Sequence, residues 1–187
     1  MDTKAKFLEA VDNNIQRPGI NDLVAWIEAG DFFTAPASTK YHESFEGGLV
    51  LHSLNVFHHL VGLNEHYKTG YNMETLAIVA LFHDLCKIGC YKTSMRNVKD
   101  EATGVWSKVP FYMFDEDFKF GGHGSKSVFL VQNFMKLTPD EAVAINCHMG
   151  VENGKWEVAD AFRVCPLAFL LHTADMASTV PDLSKEI

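Results

Sequence analysis

Basic residues are outnumbered in this sequence: 16 lysines and arginines face 24 aspartates and glutamates, a formal net charge of −8. That balance excludes the broad positive footprint with which proteins hold duplex nucleic acid by neutralising phosphates. A nucleotide or a short oligonucleotide, held by a few local cations, stays within reach. Cysteine is scarce as well. Cys86, Cys90, Cys147 and Cys165 fit no zinc-ribbon or CxxC spacing and suit a reducing compartment rather than a disulfide framework. Cys86 and Cys90, four apart, can meet on a helix face, yet free cysteines ordinarily behave as small buried hydrophobes. No apolar run is long enough to span a bilayer, and the start, Met1 to Phe7, lacks the apolar core of a secretory signal. The expectation is a cytoplasmic protein with no membrane partner. Apolar residues make up 47% and charged residues 21% of the 187, ordinary values for a globular chain long enough to form one domain with a full core.

The most informative stretch is Ala80-Leu81-Phe82-His83-Asp84-Leu85-Cys86-Lys87-Ile88-Gly89. An apolar helical run from Leu76 to Phe82 ends in an adjacent imidazole and carboxylate, and burying that pair without partners is costly. A divalent metal is an economical partner for mixed nitrogen and oxygen donors. Lys87 follows His83 by one helical turn, so its ammonium can reach the same side and suits an anionic substrate. Taken alone, the dyad also fits a helix cap or a satisfied core pair. Four more residues change that balance: His52 in Gly47-Gly48-Leu49-Val50-Leu51-His52-Ser53, His123 in Gly121-Gly122-His123-Gly124, His148 in Asn146-Cys147-His148-Met149-Gly150, and Asp175 in Leu171-His172-Thr173-Ala174-Asp175-Met176.

Read in order, H, HD, H, H and D resembles the HD-domain superfamily of metal-dependent phosphohydrolases, over about residues 41–178. The likeness runs to small bacterial and phage HD proteins and to the HD domain of bacterial 3′-to-5′ exoribonucleases, which share the Gly-Gly-Leu lead-in and the Leu-His-x-Ala-Asp ending. The resemblance implies an all-α HD-domain helical bundle with a small β-hairpin insertion. The expected layout is one domain over 1–187, with covering helices and a loop in 1–40, the core in 41–178 and the hairpin in 90–114. It further implies that His52, His83, Asp84 and Asp175 hold one metal and that His123 and His148 hold a second, with Asp84 bridging. The cofactor is then a divalent transition metal, two ions of Fe, Mn, Co, Ni or Zn; Mg prefers oxygen ligands. The alternative is a mononuclear site whose extra histidines bind phosphate or act as general acid. A hydroxide shared by two ions would attack phosphorus. Lys87 would stabilise phosphoryl oxygens or partner an acidic ligand.

Taken along the chain, Lys4 to Ile15 and Asn21 to Glu28 read as short amphipathic helices, with Asn21 as N-cap and Gly30 as stop. Residues 31–46 read as loop, and His42 lies in it close to the first ligand helix. That helix runs from Gly47-Gly48 to about His66 and also carries His59, two turns after His52. Asn72 caps the helix that delivers the dyad. Tyr91 to Lys99 and Val105 to Phe114 flank Asp100-Glu101-Ala102-Thr103-Gly104, a hairpin pattern. Such a hairpin presents Lys92, Arg96, Lys99, Trp106, Lys108 and Tyr112 either to the pocket as a flap or to solvent as an ordinary surface; Arg96 is the substrate candidate. Asp115-Glu116-Asp117 reads as a solvated turn. A helix from about Ser125 to Met135 puts Lys126 where helix N-terminal amides favour phosphate. Thr138-Pro139-Asp140-Glu141 is a capping box for the helix that ends at His148. Residues 151–157 read as loop, and the last helix begins or is interrupted at Pro166. His172, one turn before Asp175, more readily packs or bonds to backbone than ligates.

The reading that follows is an enzyme hydrolysing a phosphomonoester or phosphodiester bond of a small nucleotide-like substrate, with Asp84 and Lys87 as catalytic groups and Lys87, Arg96 and Lys126 as substrate contacts. Three departures narrow the class. Lysine stands at position 87 where HD 5′-deoxynucleotidases carry an acid; the Gly-Tyr-Pro signature of cyclic di-GMP phosphodiesterases is missing; and the OB-fold that precedes the exoribonuclease domain has no room here. The rivals are a non-catalytic HD ligand-binding or sensory module and a di-iron HD-type oxygenase.

Overall fold

The computed structural model describes residues 2–114, 122–151, 156–180 and 183. Its axis is α4, Met73–Phe82, buried without a break from Thr75 to Phe82. The Asn72 side chain caps it by accepting from Thr75 N at 2.8 Å. A helix that is apolar all round must be covered on every side. α1 (Thr3–Asn14), α3 (Gly48–Tyr67) and α6 (Pro139–Cys147) pack directly against it. α8 (Pro166–Ser178) closes over α3 and α6, α5 (His123–Gln132) lies on α6, and α7 (Trp156–Val164) lies on α8. Leu23 and Ile27 carry α2 (Ile20–Ala29) into the same core. The described residues thus form eight helices and one two-stranded antiparallel sheet, the mostly helical architecture expected, and none of these helices is long and apolar enough to cross a membrane.

The hairpin pairs β1 (Tyr91–Lys99) with β2 (Trp106–Phe114) in the register Tyr91↔Phe114 to Lys99↔Trp106. Only its base is tied to the bundle. Tyr91 packs on the core, whereas most of β1 beyond it is exposed.

Three details differ from expectation. α2 starts at Ile20 behind a left-handed Gly19 (φ 92°), not at Asn21. Tertiary crowding sets that start: a Cβ on Gly19 would stand 1.9 Å from the Phe134 carbonyl oxygen. α5 starts at His123, ahead of Ser125, so a ligand candidate sits in its first turn. A separate helix, α7, runs from Trp156 to Val164 before Cys165 breaks the path into α8 at Pro166. The acidic run 115–117, Gly121 and residues 152–155 of the expected loop lie outside the described residues.

One polar network ties the helices together beneath this core. Arg17, between α1 and α2, is bidentate to Glu141 of α6, with Nη2 donating to Oε1 at 3.0 Å and Nη1 donating to Oε2. It also reaches Glu74 (3.2 Å) and the Lys136 carbonyl (3.1 Å). The fully buried Glu141 accepts from Thr75 Oγ1 as well and closes the Thr138 capping box. Burial acts to raise the Glu141 pKa, and the Arg17 guanidinium and the Thr138 amide outweigh it and lower it below 4.5. Removing one partner of a buried pair costs about 3–5 kcal/mol, because the other charge is stranded. Arg17 keeps Glu74 and the Lys136 carbonyl, so Glu141→Ala is expected to lose less than that, about 1–3 kcal/mol, in urea unfolding at neutral pH. A carboxylate with a depressed pKa contributes stability above its unfolded value and loses it as pH falls through the folded one. The gap between wild type and Glu141→Ala should hold at pH 6–8 and shrink as the pH drops below about 4.5.

Candidate metal centre

Two of the candidate ligands sit at helix ends and are built in the same way. His83 is the C-cap of α4, and its Nδ1–H donates to the Ala80 carbonyl at 2.8 Å. His148 is the C-cap of α6, and its Nδ1–H donates to the Ile145 carbonyl at 2.6 Å. Each bond satisfies a carbonyl left over at the helix end. Each also fixes the ring: a carbonyl only accepts, so Nδ1 is the donor and Nε2 is aimed off the helix.

His52, in the second turn of α3, is fixed from α8. Ser178 Oγ donates its single proton to the Asp175 carbonyl (2.7 Å) and so accepts from His52 Nδ1 at 3.1 Å. His52 Nε2 therefore faces the same interior as the others. It lies 3.3 Å from His83 Nε2, 3.1 Å from Asp175 Oδ1 and 3.6 Å from Asp84 Oδ2. Asp84 spans the cluster. Its Oδ2 is 3.3 Å from His83 Nε2, and its Oδ1 is 3.5 Å from His148 Nε2. Three imidazole Nε2 atoms and two carboxylates thus converge on one interior, and His148 Nε2 is buried with no hydrogen-bond partner. Such a mixed nitrogen and oxygen donor set suits a divalent cation. The residues fit a divalent metal, with His52-His83-Asp84 and His83-His148-Asp175 as two overlapping sets of donors within 4.8 Å of one another.

The electrostatics agree. Burial acts to raise the Asp84 pKa, but the Lys87 ammonium and then His83 hold it well below the usual carboxylate range. Burial likewise opposes Asp175, and His52, followed by His83 and His148, lowers its pKa. Lys87 Nζ lies 2.7 Å from Asp84 Oδ2 and donates to the Ala37 carbonyl at 2.7 Å.

Glycine sets two of the close approaches. A Cβ on Gly124, in the first turn of α5, would stand 2.3 Å from the Asn146 carbonyl oxygen at the end of α6, so glycine lets the start of α5 pack on the end of α6. A Cβ on Gly48 would stand 1.9 Å from the Glu43 carbonyl oxygen, so glycine lets the loop before α3 lie on that helix's first turn.

The structure therefore brings together His52, His83, Asp84, His148 and Asp175. His123 stands to one side, its Nδ1 3.6 Å from Cys86 Sγ, which is itself 3.9 Å from Asp84 Oδ1; among the described residues it joins no set of three donors within 4.8 Å. Lys126 differs from the expected phosphate cation. Its side chain is buried and its Nζ lies 3.3 Å from Cys90 Sγ, because α5 turns that position towards the short 3-10 turn Leu85–Lys87. Arg96 lies out on the hairpin, its guanidinium 5.4 Å from the Phe111 ring centroid. His172 donates to the His148 carbonyl (2.7 Å) and stacks on Phe162, a packing role. Sequence reasoning missed Ser178 and Glu43. Glu43 adopts φ +39° and aims Oε2 at His52 Nδ1 from 3.8 Å, with burial pushing its carboxyl up to about 7 against Asn55 and Lys87. It forms a further set of possible donors with His42 and His52. Ser178 had a signal, one helical turn beyond Asp175; a loop glutamate had none.

A family model described as HD domain matches residues 49–180. The chain belongs to the HD-domain family. No curated protein matches it, and no solved structure does. HD domains are generally metal-dependent phosphohydrolases that bind divalent ions, and this HD domain's buried His and Asp cluster can hold such an ion. The coarse function is therefore that of a metal-dependent hydrolase. The matched span contains the whole cluster and Ser178 but leaves out His42 and Glu43.

Loss of a hydrogen bond that orients a metal-binding histidine typically weakens metal binding roughly 10- to 100-fold. Ser178→Ala should lower the affinity for Co2+ or Mn2+ by roughly that factor in calorimetric titration, with unchanged far-UV circular dichroism.

Proposed function

We propose that the protein is a phosphohydrolase, cleaving a phosphomonoester or phosphodiester bond of a small nucleotide-like substrate at a centre of two divalent transition metals. The observation that carries this reading is the convergence of His52, His83 and His148 Nε2 on Asp84 and Asp175. The two oxygens of Asp84 point to different partners, Oδ2 to His52 and His83 and Oδ1 to His148, with His123 beyond the Cys86 thiol on the Oδ1 side. That division would let Asp84 serve both ions, with His123 and His148 among the residues that would hold the second. Imidazole-rich ligation favours Fe, Mn, Co, Ni or Zn over Mg.

When bound, such ions supply Lewis acidity and lower the pKa of a nearby water. The chain's own groups do the rest. Lys87 keeps Asp84 ionised and oriented, and its side chain, 12% exposed at the rim of the cluster, offsets charge on the phosphoryl group. The Nδ1–H bonds hold three rings rigid, so little reorganisation accompanies the reaction. Arg96 supplies a cation towards the substrate from the hairpin. Lys126, turned inward, supports the packing around Cys90.

Elemental analysis of the purified protein tests the centre directly: about two ions per chain are expected in wild type, and about one in His123→Ala. Asp84→Ala should lose both metal and hydrolysis of p-nitrophenyl phosphate or bis-p-nitrophenyl phosphate. Oxygen consumption without phosphoester cleavage would make the protein an oxygenase; full metal content without turnover would make it a binding module. Because a ligand held only by the folded state adds about 2.7 kcal/mol at 100 times its Kd, chelation with confirmed metal loss should also lower Tm.

A further inference from the structure

Between the hairpin and the loop that leads into α3 lies a cavity of about 370 Å³, within the size range of small-molecule sites. Lys40, Phe45 and Glu46 from the loop and Arg96, Phe111 and Tyr112 from the hairpin line it. We propose that this groove is the nucleoside subsite of the centre and takes the base and sugar of a nucleotide whose phosphate lies at the metals. The inference rests on the phosphohydrolase reading for the position of that phosphate.

Four observations carry it. Both walls of the groove continue into segments that reach the cluster. Ser44, one of its lining residues, directly follows Glu43, whose carboxylate is 3.8 Å from His52 Nδ1. On the hairpin side Thr93 lines it, two residues beyond Tyr91, whose hydroxyl donates to the same Ala37 carbonyl as Lys87. Two residues of strand span about 7 Å. Second, the groove is aromatic without belonging to the core: Phe45 is 51% exposed, a high value for a phenylalanine in a loop so tightly tied down. Bases of every kind stack on such faces. Third, Arg96 lies over Phe111, a guanidinium plane backed by a ring, and bases stack on guanidinium planes as they do on aromatics. Neither Arg96 nor Lys40 forms an ion pair with another described residue, so both charges are available to an anionic ligand. Fourth, Glu46 offers the acceptor that a sugar hydroxyl needs.

The loop wall is held in place. Ser38 Oγ donates to the His42 carbonyl at 2.7 Å, and Ala37 N donates to the Glu43 carbonyl at 3.1 Å, pinning the loop wall. A groove built this way binds without prior ordering of the loop.

The test compares Arg96→Ala and Phe45→Ala with wild type in two assays on metal-loaded protein. Calorimetry measures the affinity for AMP, GMP, CMP and UMP, and hydrolysis of p-nitrophenyl phosphate reads the centre without using a base. Each variant should bind its best nucleotide roughly 10- to 100-fold more weakly, with metal content unchanged in both and p-nitrophenyl phosphate turnover unchanged in Phe45→Ala. Phe45→Tyr, which keeps the stacking face, should restore the affinity. Equal nucleotide affinity in wild type and both variants would overturn the groove, whatever the centre does. A wild type that leaves p-nitrophenyl phosphate intact yet binds a nucleotide in an Arg96- and Phe45-dependent way would overturn the phosphohydrolase reading and keep the groove as a nucleotide site.

Discussion

Three hydrogen bonds, tying Nδ1 of His83, His148 and His52 to Ala80, Ile145 and Ser178, turn the three Nε2 atoms towards one another and towards two carboxylates, and the rest of the centre depends on that orientation. Burying such a polar assembly is costly. The rest of the bundle supplies the rigidity that keeps it together: an axial helix covered on all sides, α8 laid across α3, and the Arg17–Glu141 pair joining the start of the chain to α6. The site is thus formed by helix packing, and the same packing prevents it from relaxing.

Two ligands on helix caps make a further point about economy. At a helix C-terminus a carbonyl is free to accept, and a histidine placed there satisfies it and orients itself in one bond. α4 and α6 both use this device, so their contributions depend on where each helix stops. Asn72 and the Thr138 capping box fix where each begins.

Much of this was legible in the sequence. The dyad after an unbroken apolar run, the Gly47-Gly48 lead-in, the capping box and the hairpin signal each rest on local chemistry, and each lies where its pattern put it. The parts that were illegible depend on distant contacts. Asn21 has the right side chain for a cap, but the Phe134 carbonyl decides where α2 starts by filling the space at Gly19. Lys126 has the right position for an anion-binding helix start, yet α5 packs in a way that turns it towards Cys90. Glu43 enters the site through a left-handed loop residue whose pattern resembles nothing periodic, and only the close approach at Gly48 hints at it.

The Ala37 carbonyl accepts from both Lys87 and Tyr91. One oxygen atom thereby couples the cation beside Asp84 to the root of the hairpin. The entrance loop, the ammonium and the first residues of β1 consequently behave as a single mechanical unit: a swing of the whole hairpin would have to pull on the charge balance of the cluster, whereas bending beyond Thr93 would leave it untouched. Any breathing of the entrance is thus divided into an outer part that is free and an inner part that is geared to the chemistry.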